Sequence, residues 1–301
     1  MLVTCRLFEA YLKCPTKCFL RSADEKAPKN SYAEWIRLER ESYTSEGIKR
    51  VISGIRQDAI ALDQLDLKNL HLAGWHLAVN QIARTSHLES IIHVVERVSR
   101  RARNNFELIP IRFVATNNLN KDDKLLLAFD AIVLSQILGS EVGIGKIIHG
   151  EDHATTIVNT GVLASNVWRL IAGVESMLSS NTPPDLVLNR HCPECEFQNL
   201  CRLRATEKDD LSLLSGMTGN ERSRYRSKGI FTVTQLSYTF RPRRTPKRAK
   251  NPAKPRYLSL QALAIRENTT YIHGNPMLPD SKAQVYLDIE GLSDNSFYTT
   301  F

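Results

Sequence analysis

The chain carries Cys192-Pro193-Glu194-Cys195 and then Cys201, a Cys-x2-Cys-x5-Cys run whose only companions are Cys5, Cys14 and Cys18 near the start. Three soft thiols this close in sequence can gather round one inorganic centre once they are deprotonated. Such a centre takes four ligands as a rule. The fourth must then come from the opposite end of the chain, closing a loop of about 180 residues. Metal binding across that loop restrains the unfolded chain much as a cross-link does.

Three chemistries compete for these cysteines. Cys-x2-Cys is the usual half-site of structural zinc, and an iron-sulfur cluster asks for the same four thiolates. A disulfide framework fits poorly, because six cysteines in 301 residues without an export signal point to a reducing compartment. Met1 to Lys13 lacks a basic segment followed by an apolar one. The longest apolar run, Leu125 to Leu134, is interrupted by Asp130 and is too short to span a bilayer. The expectation is a cytoplasmic protein with no membrane partner. Its 42% hydrophobic and 24% charged residues suit a globular chain of about two domains.

In chain order, residues 5–22 read as an amphipathic helix that breaks at Cys14-Pro15. Residues 31–66 read as mostly helical, with Ser31 as N-cap. Leu88 to Val98 is rich in β-branched residues and predicts a strand; Phe106 to Val114 predicts its hairpin partner. Asp122 to Leu138 predicts a helix, with Asn120 near its start and Gly139 just past its end. Ile144 to His149 and Thr155 to Val158 predict short strands, and Val162 to Leu178 a helix. This alternation predicts an α/β core.

Cys14-Pro15-Thr16-Lys17 followed much later by the Cys192, Cys195 and Cys201 triplet resembles the iron-sulfur branch of the RecB-like PD-(D/E)xK nucleases. That branch includes the AddB nuclease domain and the CRISPR-adaptation exonucleases. Over residues 5–204 the resemblance implies a restriction-endonuclease-like core with added helices and a [4Fe-4S] cluster on Cys14, Cys192, Cys195 and Cys201. Zinc is the alternative occupant. Cys18, one helical turn after Cys14, is the rival for the first position, and Cys5 reads as packing.

The same resemblance implies Mg²⁺- or Mn²⁺-dependent phosphodiester hydrolysis, with carboxylates for the metal and a lysine for the charge developing at phosphorus. The first-strand aspartate position falls at or near His93, and the second motif falls on Pro110-Ile111-Arg112. Its acid is missing, and Arg112 presents a fork where a lysine would present a point charge. Leu125 and Phe129 stand where relatives carry a Gln and a Tyr. A helper histidine expected upstream is absent, since no histidine precedes His71. The substitutes at hand are His93, Glu96 and Glu107 for metal and Arg112 for charge; otherwise the domain is a catalytically degenerate nucleic-acid-binding scaffold.

The domain boundaries read as 1–207 for the nuclease-like domain, 208–240 for a helix-hairpin-helix-like element, 241–257 for a basic linker and 258–301 for the start of another domain. In the second element, Gly216 and Gly229 would free backbone N–H groups for phosphate at helix starts, although a plain two-helix packing module fits the pattern as well. Residues 241–256 hold eight Lys or Arg, Arg241, Arg243, Arg244, Lys247 and Arg248 among them, and no acid. The other 32 basic residues are matched by 32 acidic ones, so the net charge of +8 belongs to this stretch. It predicts nonspecific, salt-sensitive contact with the phosphates of DNA, single-stranded or at ends.

Finally, Gln284 to Gly291 places Asp288 and Glu290 at the end of an apolar strand. It resembles the first motif of the RNase H-like (DnaQ/YprB-type) exonucleases, where two carboxylates begin a two-metal site. The sequence stops at Phe301, before the later carboxylates. Asp288 and Glu290 therefore read as a fragment of a site, the rest being lost or supplied by a separate chain.

Overall fold

The computed structural model describes residues 1–27, 30–62, 74–99, 106–241, 257–272, 288–291 and 297–300. These residues form a mixed α/β structure with nine α-helices and a seven-stranded mixed sheet. No helix among them is long and apolar enough to cross a membrane. They divide into two compact units, one drawn from Met1–Lys26, Ser31–Pro184 and Ile289–Thr300, the other from Ala27–Asn30 and Asp185–Asp288.

The first unit opens with β1 (Val3–Thr4), α1 (Cys5–Lys13) and α2 (Pro15–Ser22). Pro15 has no N–H to continue α1, so Cys14 turns extended, caps α1 through Ala10 O and lets Pro15 start a new helix. The break expected at Cys14-Pro15 thus divides residues 5–22 into two helices. α3 (Ser31–Ser53) begins at Ser31, which is its first helical residue and not its cap. Two strands follow that the sequence pattern did not announce, β2 (Ile60–Ala61) and β3 (Leu77–Arg84).

β4 (Leu88–Ser99) and β5 (Phe106–Val114) form the expected antiparallel hairpin. α4 (Lys121–Leu138) crosses back so that β6 (Ile144–His149) pairs parallel to β5, and β7 (Ala154–Asn159) turns antiparallel at the edge. α4 is delimited by local chemistry. Asn120 and Asp123 form a reciprocal capping box at its start, and Gly139 closes it at φ 66°, where a Cβ is costly. α5 (Gly161–Ser179) completes the unit.

Residues Leu125 to Leu134 of α4 are all buried, against α1, α5 and one face of the sheet. Phe8 stacks on Phe129 at 4.7 Å, which adds about 0.5–1.5 kcal/mol to the burial of both rings. The opposite face, with Val94, Ile111 and Phe113, is covered by Tyr43, Ile48, Val51 and Ile52 of α3. Gly47 permits that approach, since a Cβ there would lie 2.4 Å from the Phe113 ring.

Midway along β3 and β4 the faces exchange. Leu77 and Val79 point toward α3 and Ala78 toward α4, yet farther along Ala83 packs on the α4 side. In β4, Val94 faces α3 while Ile92, two residues before it, faces α4. The switch falls at Asn80 and His93, a pair missing from an otherwise constant register, and Asn80 is left-handed at φ 50°. β3 fills one edge of β4; the other edge is divided, with β1 at Leu88 and Glu89 and β5 from Val94 onward.

The second unit contains α6 (Gln198–Glu207), a 3₁₀ turn at Leu211–Leu213, α7 (Gly219–Arg226), α8 (Val233–Ser237) and α9 (Leu258–Glu267). Its core is Leu211, Leu214, Val233, Leu236, Leu258 and Ala262. β8 (Asp288–Gly291) and β9 (Phe297–Thr300) form a separate two-stranded sheet.

Candidate functional site

The divided edge of β4 holds a buried ionic cluster. Arg112 donates from Nε to one Asp130 oxygen at 3.0 Å and from Nη2 to the other at 2.8 Å. Ser90 Oγ donates to the same carboxylate. A planar fork meeting a carboxylate two-pronged is the strongest form of this contact. Burial nevertheless outweighs Arg112 and Ser90, so the Asp130 carboxyl sits above its ordinary range.

His93 occupies the point where the β4–β5 ladder ends. Its Nδ1 accepts the Phe113 N–H at 3.1 Å, a bond that a strand carbonyl would otherwise take. Burial, and then the charge of Arg112, push its pKa down to about 3. The ring is therefore a neutral acceptor at physiological pH. Glu9 of α1 acts on the same histidine: burial raises its own pKa, but the charge of Lys13, bound at 2.7 Å, prevails and brings it to about 2. The Cys5 thiol, at the start of α1, is raised by burial, with Arg112 opposing.

Of the residues expected to hold a catalytic metal, Glu96 and Glu107 are diagonal neighbours across β4 and β5, since Glu96 is opposite Ile109, and His93 lies where that ladder ends. Glu96 is ion-paired with Lys146. Glu107 is opposite Val98, five residues along β5 from Arg112, which is about 17 Å of extended chain. Among the described residues, no group of three His, Cys, Asp or Glu is arranged to hold a metal ion. Arg112 and His93 do share a cluster, but each is committed to a partner inside the protein. Leu125 and Phe129 are core residues. Sequence reasoning missed Asp130 and Ser90 as partners, although a single acid inside a ten-residue apolar run was a signal that it must be paired.

The cysteine triplet lies in the second unit, on a chain of tight turns. Cys195 N–H donates to Cys192 O, Gln198 N–H to Cys195 O, and Cys201 N–H to Phe197 O. Asn189 N–H donates to Cys192 Sγ at 3.2 Å. The Asn30 side chain clips the loop, donating to Cys195 O at 2.9 Å and to Gln198 Oε1 at 3.1 Å. Cys195 and Cys201 are buried and Cys192 half-buried. The donor set suits a soft metal, although among the described residues no group of three candidate ligands is found arranged around one. In the first unit, Cys18 is fully buried with its thiol pushed up to about 12 by that burial, whereas Cys14 is half-buried at the α1–α2 break.

In the hairpin element the two glycines have different places. Gly216 is left-handed at φ 73°, two residues before Thr218, the N-cap of α7. Gly229, at φ 78°, ends α7: its N–H donates to Arg226 O, and Ile230 N–H donates to Tyr225 O. It therefore does not open α8, and its amide is occupied. A glycine three residues past the last helical residue is the signature that reading overlooked.

The start of α8 is likewise satisfied internally. Phe231 and Thr232 N–H donate to Gln235 Oε1, Val233 N–H to Asp209 O, and Thr234 N–H to Asp209 Oδ2. Asp209 thus holds the place an anion would take. Arg241 is exposed; Arg243, Arg244, Lys247 and Arg248 lie outside the described residues. Asp288 and Glu290 are both on β8, whose strand character agrees with the sequence reading over Asp288–Gly291.

No protein-family model matches this sequence, and a search of curated proteins finds no significant match.

Proposed function

We propose that this chain is a RecB-like member of the PD-(D/E)xK nuclease family, with a restriction-endonuclease-like core, that serves DNA processing by holding nucleic acid without cutting it. The observation that carries this reading is the Arg112–Asp130 pair with Ser90. Phosphodiester hydrolysis needs convergent free carboxylates and an uncommitted cation. Here the cation is spent on a buried acid, and the neighbouring histidine is spent on a backbone N–H. The basic residues 241–256 supply sequence-independent attraction to phosphate.

Cys192, Cys195 and Cys201, with Cys14 in preference to the deeply buried Cys18, would hold a [4Fe-4S] cluster as a structural tie. Zinc is the alternative. The RNase H-like start at Asp288 and Glu290 would be completed by other residues or another chain. The test is anaerobic purification, a visible spectrum, and incubation with single-stranded DNA and Mn²⁺. A brown protein that binds the strand and leaves it intact is expected. A colourless, zinc-loaded protein would remove the cluster, and Mn²⁺-dependent cleavage abolished by Arg112→Ala or His93→Ala would overturn the non-hydrolytic reading.

A further inference from the structure

We infer that the nucleic acid partner is single-stranded, and that its bases stack on Tyr238 and Phe231 at the two ends of α8. The inference rests on the nucleic-acid-binding reading above and adds to it the strandedness and the docking residues. Tyr238 is 73% exposed and Phe231 50%, so both rings are open to a ligand. The Arg266 guanidinium lies over the Tyr238 ring at 4.4 Å and is itself anchored to Ser237 Oγ at 2.8 Å and Glu267 Oε1 at 2.8 Å. The ring is therefore held in place before any ligand arrives, which reduces the ordering cost of binding.

Position supplies the second argument. Residues 241–256, with eight cations and no acid, are tethered between α8 and α9, which pack on one another through Val233, Leu236, Leu258 and Ala262. The strongest concentration of positive charge in the chain thus begins three residues after the exposed Tyr238. Exposed aromatic rings beside a basic tract bind single strands, because unpaired bases offer π-faces and the backbone offers charge. A duplex offers only the charge, since its bases are already stacked. The internally satisfied start of α8 fits the same division of labour: the helix does not present its amides to phosphate but carries the rings.

The experiment measures binding of the full chain to a labelled oligothymidine and to a duplex of equal length, across a salt series. The expected result is tighter binding to the single strand, weakened roughly ten-fold by Tyr238→Ala, with an unchanged salt slope and with Tyr238→Phe close to wild type. Phe231→Ala tests the same platform independently should Tyr238→Ala alter the fold. Single-strand binding unmoved by both alanine variants, or no preference over duplex, would overturn the platform and leave the nucleic-acid reading standing. Failure to bind either ligand would remove both.

Discussion

Arg112 in the first unit and Arg222 in the second each meet a carboxylate largely away from water, and the two are handled differently. Arg112 meets Asp130 in the first unit with the acid only 1% exposed and Ser90 sharing the load. Arg222 in the second unit is as deeply placed, but it divides its donors between Asp210, at 2.7 Å, and Asp185, at 2.6 Å, and Asp185 is 56% exposed. Arg226 adds a second bond to Asp185. The titrations follow: burial drives Asp130 up, whereas the Arg222 hydrogen bonds draw Asp185 down. For Asp210 burial works upward, but Arg222 and the Ser212 contacts prevail and it too is lowered. A pair sealed from water orders its surroundings at a desolvation cost, whereas one with a wet edge acts as a latch.

The sharpest way to break that contrast is to remove one arginine at a time. Arg112→Met strands a buried carboxylate and should cost about 3–5 kcal/mol in urea unfolding, while Arg112→Met with Asp130→Leu should recover most of the loss. A double variant as unstable as the single would mean that the pair itself, and not the orphaned charge, supports the unit.

Next in size is a pH effect confined to the first unit. His93 has a folded pKa depressed from 6.5 to about 3, so its contribution is present above 6.5 and is lost as pH falls toward 3. By pH 5 that is about 2 kcal/mol. Asp130 has the opposite sign, contributing most below its ordinary range and less as pH rises through its raised value. Comparing the wild type with His93→Gln, which keeps an acceptor for Phe113 N–H but does not titrate, isolates the histidine; parallel pH profiles would contradict the assignment.

The smallest effect should come from Arg222→Met, about 1–2 kcal/mol, since Asp185 can turn to water and keep Arg226. Amide exchange at Ser212, whose N–H is held by Asp210 at 2.8 Å, would report it. A loss as large as that at Arg112 would erase the distinction between the two pairs.

Much of this architecture is written in local chemistry. Pro15, Asn120 and Gly139 mark helix boundaries because each acts on its own backbone, and the β4–β5 hairpin shows in its β-branched residues. β3 escaped notice because the kink at Asn80 interrupts its alternation: Leu77, Ala78 and Val79 are buried in succession, then Gln81 and Ala83. The Arg112–Asp130 pair escaped for another reason. The two residues are 18 positions apart on different elements, and only the packing of α4 on the sheet decides that they meet. Gly229 illustrates the remaining kind of error, where one left-handed glycine served equally well as a helix opening or a helix ending until its hydrogen bond was known.

The divided edge of β4 has a mechanical meaning of its own. From Val94 to Ser99 the strand is zipped to a long neighbour, whereas its Leu88 end is closed on that side by a two-residue patch from the start of the chain. Along that edge the two halves belong to separate seams, while β3 runs past both on the other. Peeling the short seam would uncover Leu88 while the hairpin stayed shut, so this unit can breathe at one end without unravelling from the other.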